Sequence, residues 1–235
     1  MAKTLITGAN GFIGSYLAQK IADSQAVSRN DCDLTSWDEV VKFDWEGEAI
    51  INCAHVGKYG DDKEGNLEKN VILLANLRRR WPKAKIINFG SGAMFDKSKP
   101  ILKAKENDFV YPTDLYGLSK RVTIDVADVT LIIFGLFSKS RFVLSVLDHL
   151  SKKEPVVIFQ DVLYSWVNLA DLPAVIKWSI KNGKGKYNLC GYNMLLSNIA
   201  KSLGATDIVY QKPGLGNEYT GRKNKIIKLN ICPSF

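Results

Sequence analysis

The chain has 235 residues, 46% of them hydrophobic and 24% charged, with a formal net charge of +8. That suits one compact α/β unit with a modest appendage and excludes a disordered chain, and the longest apolar run, residues 129–137, falls far short of the ~20 residues that cross a bilayer. The charge reads either as a solvated basic surface or as attraction for small polyanions; nucleic-acid binding is excluded because the one basic cluster, Arg222, Lys223, Lys225 and Lys228, carries no aromatic residue.

Residues 3–7 read as a first strand, running into Gly8-Ala9-Asn10-Gly11-Phe12-Ile13-Gly14 and a helix over 12–22 with Ile13, Leu17 and Ile21 on one face. A strand, a Gly-rich turn and a helix N-terminus together suit a dinucleotide: glycines allow close backbone approach, and unpaired N–H groups meet the pyrophosphate. The spacing is G-x-x-G-x-x-G, not the G-x-G-x-x-G of the common fingerprint. A second strand over 25–28 ends at Ser28 and Arg29, where an NAD-specific site usually has an acid; an arginine suits a 2′-phosphate and favours NADP, while Asp31 keeps NAD open. Asp33-Leu34 follows, then a helix from about 36 with Ser36 as its cap.

Residues 49–54 read as a strand buried on both faces, ending at Cys53-Ala54-His55, small residues apart from a histidine that is either a proton donor or part of the rim. A helix over 64–81 turns Leu67, Val71, Leu74, Ala75 and Leu77 inward, carries Arg78-Arg79-Arg80 in its last turn and stops near Pro82. A strand over 85–89 leads into Gly90-Ser91-Gly92-Ala93, at the strand end where open α/β sheets bind ligands. A polar loop spans 96–108, Tyr116-Gly117-Leu118-Ser119-Lys120 opens a helix, and 130–134 is a further strand. Beyond 137 the pattern loosens: helices over 141–150, 172–181 and 195–203, strands over 156–159, 165–169 and 185–189, and a tail without strong signal. Alternating strands and helices predict a doubly wound parallel sheet over 1–137, with 138–235 as a small lobe packed on it as a single compact unit. Cys32, Cys53, Cys190 and Cys232 form no C-x-x-C pair and read as reduced, not as metal ligands. With the first strand following the first residues directly, a cytoplasmic protein without a signal peptide is expected.

Tyr116 and Lys120, four apart on a helix, share a face. An ammonium beside a phenol favours the phenolate and lets the tyrosine exchange a proton near neutrality. The Ser91 hydroxyl can hydrogen-bond an oxygen that becomes, or stops being, a carbonyl. Each feature alone is weakly specific; the glycine turn, Ser91 and the Tyr-Lys pair in this order point to hydride-transfer chemistry.

These motifs resemble the extended short-chain dehydrogenase/reductases, the NAD-dependent epimerase/dehydratase family. The likeness runs from T-G-A-N-G-F-I-G at residues 7–14 through Asp33-Leu34, Asn70-Val71, Ser91, Tyr116 and Lys120 to L-I-I-F-G, S-W-V-N-L-A-D-L and K-Y-N-L-C-G, covering most of the chain to about Leu203. The resemblance implies a Rossmann-type sheet with a trimmed C-terminal substrate lobe and nucleotide-linked sugars as substrates. It implies Tyr116 as acid/base, Lys120 holding the nicotinamide ribose, Ser91 orienting the sugar oxygen, and Asp33 contacting adenine. Cofactor contacts are expected from Gly8, Asn10, Gly11, Phe12, Ile13 and Gly14, from Arg29, Asp33 and Leu34, from Cys53, Ala54 and His55, and from Asn70, Tyr116 and Lys120.

The family's dehydratases carry Thr-Asp-Glu where this chain has Ser91-Gly92-Ala93, and the fucose-synthase type carries a cysteine at the position of Ala93. Ala93-Met94-Phe95-Asp96 resembles instead the 4-keto-sugar reductases that make rhamnose precursors. The favoured reading is an NADP-dependent reductase of a nucleotide-linked 4-keto-6-deoxy sugar; a 4-epimerase, a reductase of a non-sugar carbonyl and a non-catalytic nucleotide-binding subunit are the alternatives. Three departures stand out. The chain is shorter than its family, and the short Tyr116 helix, a common dimer contact in the family, leaves a homodimer open but in doubt. Ile132 and Tyr164-Ser165 replace charged substrate contacts, leaving Lys139, Arg141 and the basic tail to meet a diphosphate or simply to be solvated.

Overall fold

A computed structural model describes residues 3–57, 63, 65–137, 141–212 and 218–222, with the Arg141 side chain excepted. Expectations placed on Glu64, Lys139, the Arg141 side chain, Lys223, Lys225, Lys228 and Cys232 lie outside the described residues.

In chain order the elements are β1 (Thr4–Thr7), α1 (Phe12–Lys20), β2 (Ser24–Val27), α2 (Trp37–Lys42), β3 (Ala49–Asn52), α3 (Asn66–Arg80), β4 (Lys85–Ser91), β5 (Ile101–Ala104), α4 (Leu115–Val122), β6 (Val129–Ile133), β7 (Gly135–Phe137), α5 (Arg141–Lys152), β8 (Val156–Ile158), β9 (Leu163–Asn168), α6 (Leu172–Asn182), β10 (Gly185–Leu189), β11 (Tyr192–Leu195), α7 (Leu196–Ser202), β12 (Ile208–Tyr210) and β13 (Tyr219–Gly221).

The chain divides into two interleaved units: 1–96, 109–132 and 172–187 form the first, and 97–108, 133–171 and 188–235 the second. A single cut after 137 is therefore not how the contacts fall. α6 and the start of β10 return to the first unit, and the expected loop 96–108 leaves it because it contains β5, which pairs with β13.

The first unit is built on a six-stranded sheet in the order β10-β6-β4-β3-β1-β2. β1 lies parallel to β2 on one side and to β3 on the other, and β3 parallel to β4. The chain therefore reverses its direction of travel across the sheet between β1 and β3, and the carboxyl ends of those two strands flank the crevice where open α/β sheets take ligands. Leu5, Ile6, Ile50, Ile51, Ile86 and Ile87 are all fully buried, as parallel strands covered on both faces require. On one face Leu73, Leu74 and Leu77 of α3 pack with Val40 and the edge-to-face pair Trp45 and Trp81, whose rings lie 5.5 Å apart.

Two helix expectations need correction. α3 exposes Val71 and Ala75 and buries Asn70, Leu73 and Asn76. The apolar periodicity misplaces the inward face because two asparagines belong to it: Asn76 donates to the Leu34 carbonyl, and Asn70 is spent on backbone near His55. Ser36 occupies the N-cap position of α2 in extended conformation, but its side chain makes no capping hydrogen bond.

The second unit holds a sheet in the order β11-β9-β13-β5, with β7 also on β9, and a separate parallel pair, β12-β8. β5, β7, β11, β12 and β13 lie where the sequence gives no strand signal. Their partners are distant in sequence: the Thr220 hydroxyl accepts the Lys103 N–H across 117 residues.

Leu74 is fully buried in the principal core. Leu74→Ala is expected to cost about 2–5 kcal/mol in urea unfolding with an unchanged m value.

Candidate functional site

β1 delivers the chain into a turn that needs glycine. Gly8 sits at φ +66°, and a Cβ there would lie 2.6 Å from the Ala54 nitrogen at the end of β3. A Cβ on Gly14 would run into the Gly8 carbonyl oxygen. The turn is tied by Gly11 N–H to Gly8 O (2.9 Å) and Ala9 N–H to Val27 O (3.1 Å). Gly11 is the N-cap of α1 and brings no side-chain acceptor, which suits a helix start meant for an anion.

Gly8, Asn10 and Gly11 form one wall of a cleft of about 310 Å3. Arg29, Asp33 and Leu34 from the segment after β2, and Cys53, Ala54 and His55 from the segment after β3, complete it. Nine of the residues expected to hold a cofactor thus meet in one place, at the β1/β3 switch point. Phe12, Ile13 and Gly14 stand outside this lining, in the first turn of α1 behind it. Asn70 is 3% exposed and fully engaged: Oδ1 accepts Val56 N–H (2.9 Å), and Nδ2 donates to the carbonyls of Val56 (2.9 Å) and Asn66 (2.7 Å). Its part is to hold the His55–Gly57 loop in shape.

In the segment after β2 both acids are already occupied. Asp31 Oδ2 accepts the Ser28 hydroxyl (2.7 Å) and Ser28 N–H (2.8 Å), and these bonds hold its carboxyl below the usual range. Burial pushes the Asp33 carboxyl up, but the Thr35 hydroxyl and N–H and the Arg29 guanidinium outweigh it and draw it down. Arg29 reaches Asp33 at 3.3 Å while its side chain stays 64% exposed.

Tyr116 lies on α4, which starts at an Asp114 cap whose Oδ1 accepts Gly117 N–H (2.6 Å). Gly117 presses against the Ala93 carbonyl with no room for a Cβ. This contact seats α4 on the short turn opened by Ser91, whose Oγ accepts Ala93 N–H (3.2 Å). Ser91, Tyr116 and Lys120 thus come from two packed segments. The Lys120 ammonium lies 5.8 Å from the Tyr116 ring centre, and the His55 ring meets the same phenol at 5.3 Å and 61°.

A buried polar chain runs under this site, and sequence reasoning missed it. The Thr7 hydroxyl donates to Asn52 Oδ1 (2.7 Å), Asn52 Nδ2 to Asn88 Oδ1 (2.9 Å), and Asn88 Nδ2 to Thr123 Oγ1 (3.2 Å). Thr123 in turn donates to the carbonyls of Ser119 (3.2 Å) and Lys120 (3.0 Å) on α4. The signal was present: Ala-Ile-Ile-Asn and Lys-Ile-Ile-Asn each place an asparagine after a buried apolar run.

The electrostatics single out Lys120. Burial lowers its ammonium to about 8, an effect the neighbouring Cys53 thiol slightly opposes. Burial pushes the Cys53 thiol up to about 12, and burial with the Lys120 charge pushes His55 down to about 3. Near neutral pH Lys120 is therefore a cation beside two uncharged neighbours, Cys53 and His55.

A larger groove of about 720 Å3, lined among others by Arg78, Lys85, Asp128 and Lys184, lies at the amino ends of β4, β6 and β10. Among the described residues no group of His, Cys, Asp or Glu is placed to hold a metal ion, and no helix is long and apolar enough to cross a membrane.

The family profile described as NAD dependent epimerase/dehydratase family matches residues 4–190. A curated dTDP-4-dehydrorhamnose reductase of Mycolicibacterium smegmatis is 28% identical over 127 residues, which is 50% of this chain and 39% of that relative. The chain thus matches well under half the length of this curated relative. Among solved structures, the dTDP-4-dehydrorhamnose reductase of Bacillus anthracis in complex with NADP superposes with a TM-score of 0.79 at 17% identity, over 98% of this chain and 94% of that one. The Bordetella bronchiseptica enzyme WbmG, in complex with NAD and UDP, gives 0.79 at 15% identity over 99% and 90%. These likenesses show the Rossmann-type fold.

The depressed Lys120 value has a direct readout. Nitrogen NMR of the Lys120 ammonium, assigned with Lys120→Met, is expected to titrate near pH 8, well below the ordinary 10.5. Between those values the unfolded chain holds a proton that the folded one has released, so this group's contribution to stability should rise with pH across that window. A midpoint at the ordinary value would contradict the burial described above.

Proposed function

The chain belongs to the NAD dependent epimerase/dehydratase family, and from that premise we propose that it is an NADP-dependent reductase of a nucleotide-linked 4-keto-6-deoxy sugar. The observation that carries this reading is the Tyr116 phenol beside the Lys120 ammonium, with α4 seated on the Ser91 turn. The same turn has Gly92 and Ala93 buried where an eliminating enzyme needs carboxylates. The name of the 28% identical relative, a dTDP-4-dehydrorhamnose reductase, supports the same substrate class.

In this reading the first amides of α1 hold the pyrophosphate, and the exposed Arg29 meets the 2′-phosphate. The carboxylates of Asp31 and Asp33, already hydrogen-bonded within the chain, are less ready to grip a 2′-hydroxyl. Cys53 and Ala54 let the cofactor lie close to the backbone, and Lys120 holds the nicotinamide ribose. A bound dinucleotide supplies the hydride. The Ser91 hydroxyl donates a hydrogen bond to the keto oxygen and fixes its place. As the carbon gains the hydride, Tyr116 gives its phenolic proton to that oxygen, and the Lys120 ammonium stabilises the phenolate left behind. With its ordinary value lowered to about 8, Lys120 still carries its charge at pH 7.

The test is consumption of NADPH absorbance with dTDP-, UDP- and GDP-linked 4-keto-6-deoxy sugars. Turnover with at least one is expected, and Tyr116→Phe should lose about 10²–10⁴-fold in kcat. If no keto sugar oxidises NADPH, or the phenylalanine variant is unimpaired, the reading fails; inversion at C4 with retained NAD and no net consumption would replace it with an epimerase. Arg29→Asp is expected to weaken NADPH binding about 10–100-fold, as loss of a charged hydrogen bond would, while NADH binding holds or improves. Calorimetric titration of the two cofactors measures this.

A further inference from the structure

His55 is tied down at every polar atom. Its loop is clamped on the next residue, where the Asn70 amide bonds both the N–H and the carbonyl of Val56. Nδ1 lies 3.2 Å from the Gly57 carbonyl, which only accepts, so Nδ1 carries the ring proton. Nε2 lies 3.0 Å from Ser119 Oγ and in the neutral ring can only accept, so it shares that hydroxyl's single proton with the Tyr116 carbonyl. Ser119 Oγ is also 2.7 Å from the Tyr116 carbonyl, so one hydroxyl bridges the imidazole to the backbone of the phenol's own residue. The ring itself meets the Tyr116 ring edge-on.

We propose that His55 is a positioning residue for Tyr116: its fixed neutral ring, acting through Ser119 and by direct ring contact, holds the phenol against Lys120. Burial and the Lys120 charge both oppose a second proton on the imidazole, so the lock keeps one tautomer through the working pH range. A hydrogen bond from the ring to a cofactor would need a free ring nitrogen, and both lie against partners within the protein. A proton-donor role would need the same free nitrogen.

This inference rests on Tyr116 as the proton donor, and its test is chosen to stand apart from that reading. In cofactor-free protein labelled with 13Cζ-tyrosine, the Tyr116 signal, assigned with Tyr116→Phe, reports the setting of the phenol whether or not any sugar is turned over. His55→Ala and Ser119→Ala are each expected to shift or broaden that signal, and the double variant should add little, because the two residues act in series. His55→Gln, which keeps one donor and one acceptor, should restore most of the wild-type signal and guards against a fold defect in the alanine variant. With a keto-sugar substrate in hand, His55→Ala should lose about tenfold or more in kcat with KM and NADPH affinity held within about twofold, the pattern of a misplaced reacting group. A Tyr116 signal unmoved by His55→Ala overturns the proposal, as do fully additive effects of the two alanine variants or a loss confined to NADPH affinity. Failure of the substrate panel alone would sink the reductase reading and leave the NMR result to decide the role of His55.

Discussion

The candidate site depends on one buried chain of hydrogen bonds, from Thr7 through Asn52 and Asn88 to Thr123. Each member donates to the next, and the last donates to the carbonyls of Ser119 and Lys120. All four are at least 93% buried, where an unmatched amide would cost about 1–3 kcal/mol. Fully matched, the chain joins the carboxyl ends of β1 and β3 and the middle of β4 to α4. That matters because α4 has only 8 residues, too few to be stable on its own propensity. Its position comes from what holds it at both ends: Asp114 and the Ala93 contact at the start, and the polar chain near the finish. Tyr116 and Lys120 lie between those anchors.

The same burial sets the charge at the site. Lys120 lies beside Cys53 and His55, neither charged near neutrality, and among the described residues no carboxylate pairs with it, so desolvation is not offset and its proton is held less tightly. A cation next to a phenol stabilises the phenolate more when few other charges screen it. The neutral state of His55 therefore bears on Tyr116 twice. It spares Lys120 a second positive charge, and its Nε2 lone pair shares the Ser119 proton with the Tyr116 carbonyl.

Much of this was legible because it is local. The glycine turn, the strand ends at Ser91 and His55, and the four-residue step from Tyr116 to Lys120 are all read from neighbours in sequence, and the sheet places them as expected. What was not legible is non-local or polar. β5 and β13 pair across more than a hundred residues and carry no alternating pattern. The inward face of α3 was misplaced because Asn70 and Asn76 are buried by hydrogen bonds, which an apolar count does not register. The polar chain beneath α4 went unread for the same reason: an asparagine closing a strand looks like a boundary until its partner on the next strand is known.

Size and charge alone would point to the opposite end of the sheet. The groove of about 720 Å3 is more than twice the volume of the cleft at the glycine turn and is rich in lysine and arginine. Three of its charged groups, Arg78, Lys85 and Asp128, are committed within the chain. Arg78 pairs with Asp128 at 2.5 Å and also donates to the carbonyls of Pro82, Ala84 and Val126, while Asp128 accepts the Ile86 N–H and Lys85 donates to the Ile180 carbonyl. These groups fasten the amino ends of the central strands to the helices beside them. The carboxyl ends carry the opposite arrangement: a glycine turn with an uncapped helix start, an exposed arginine and a phenol beside a weakly held proton. In a parallel sheet that asymmetry decides where chemistry is done, because successive strands all deliver their next residues to the same edge.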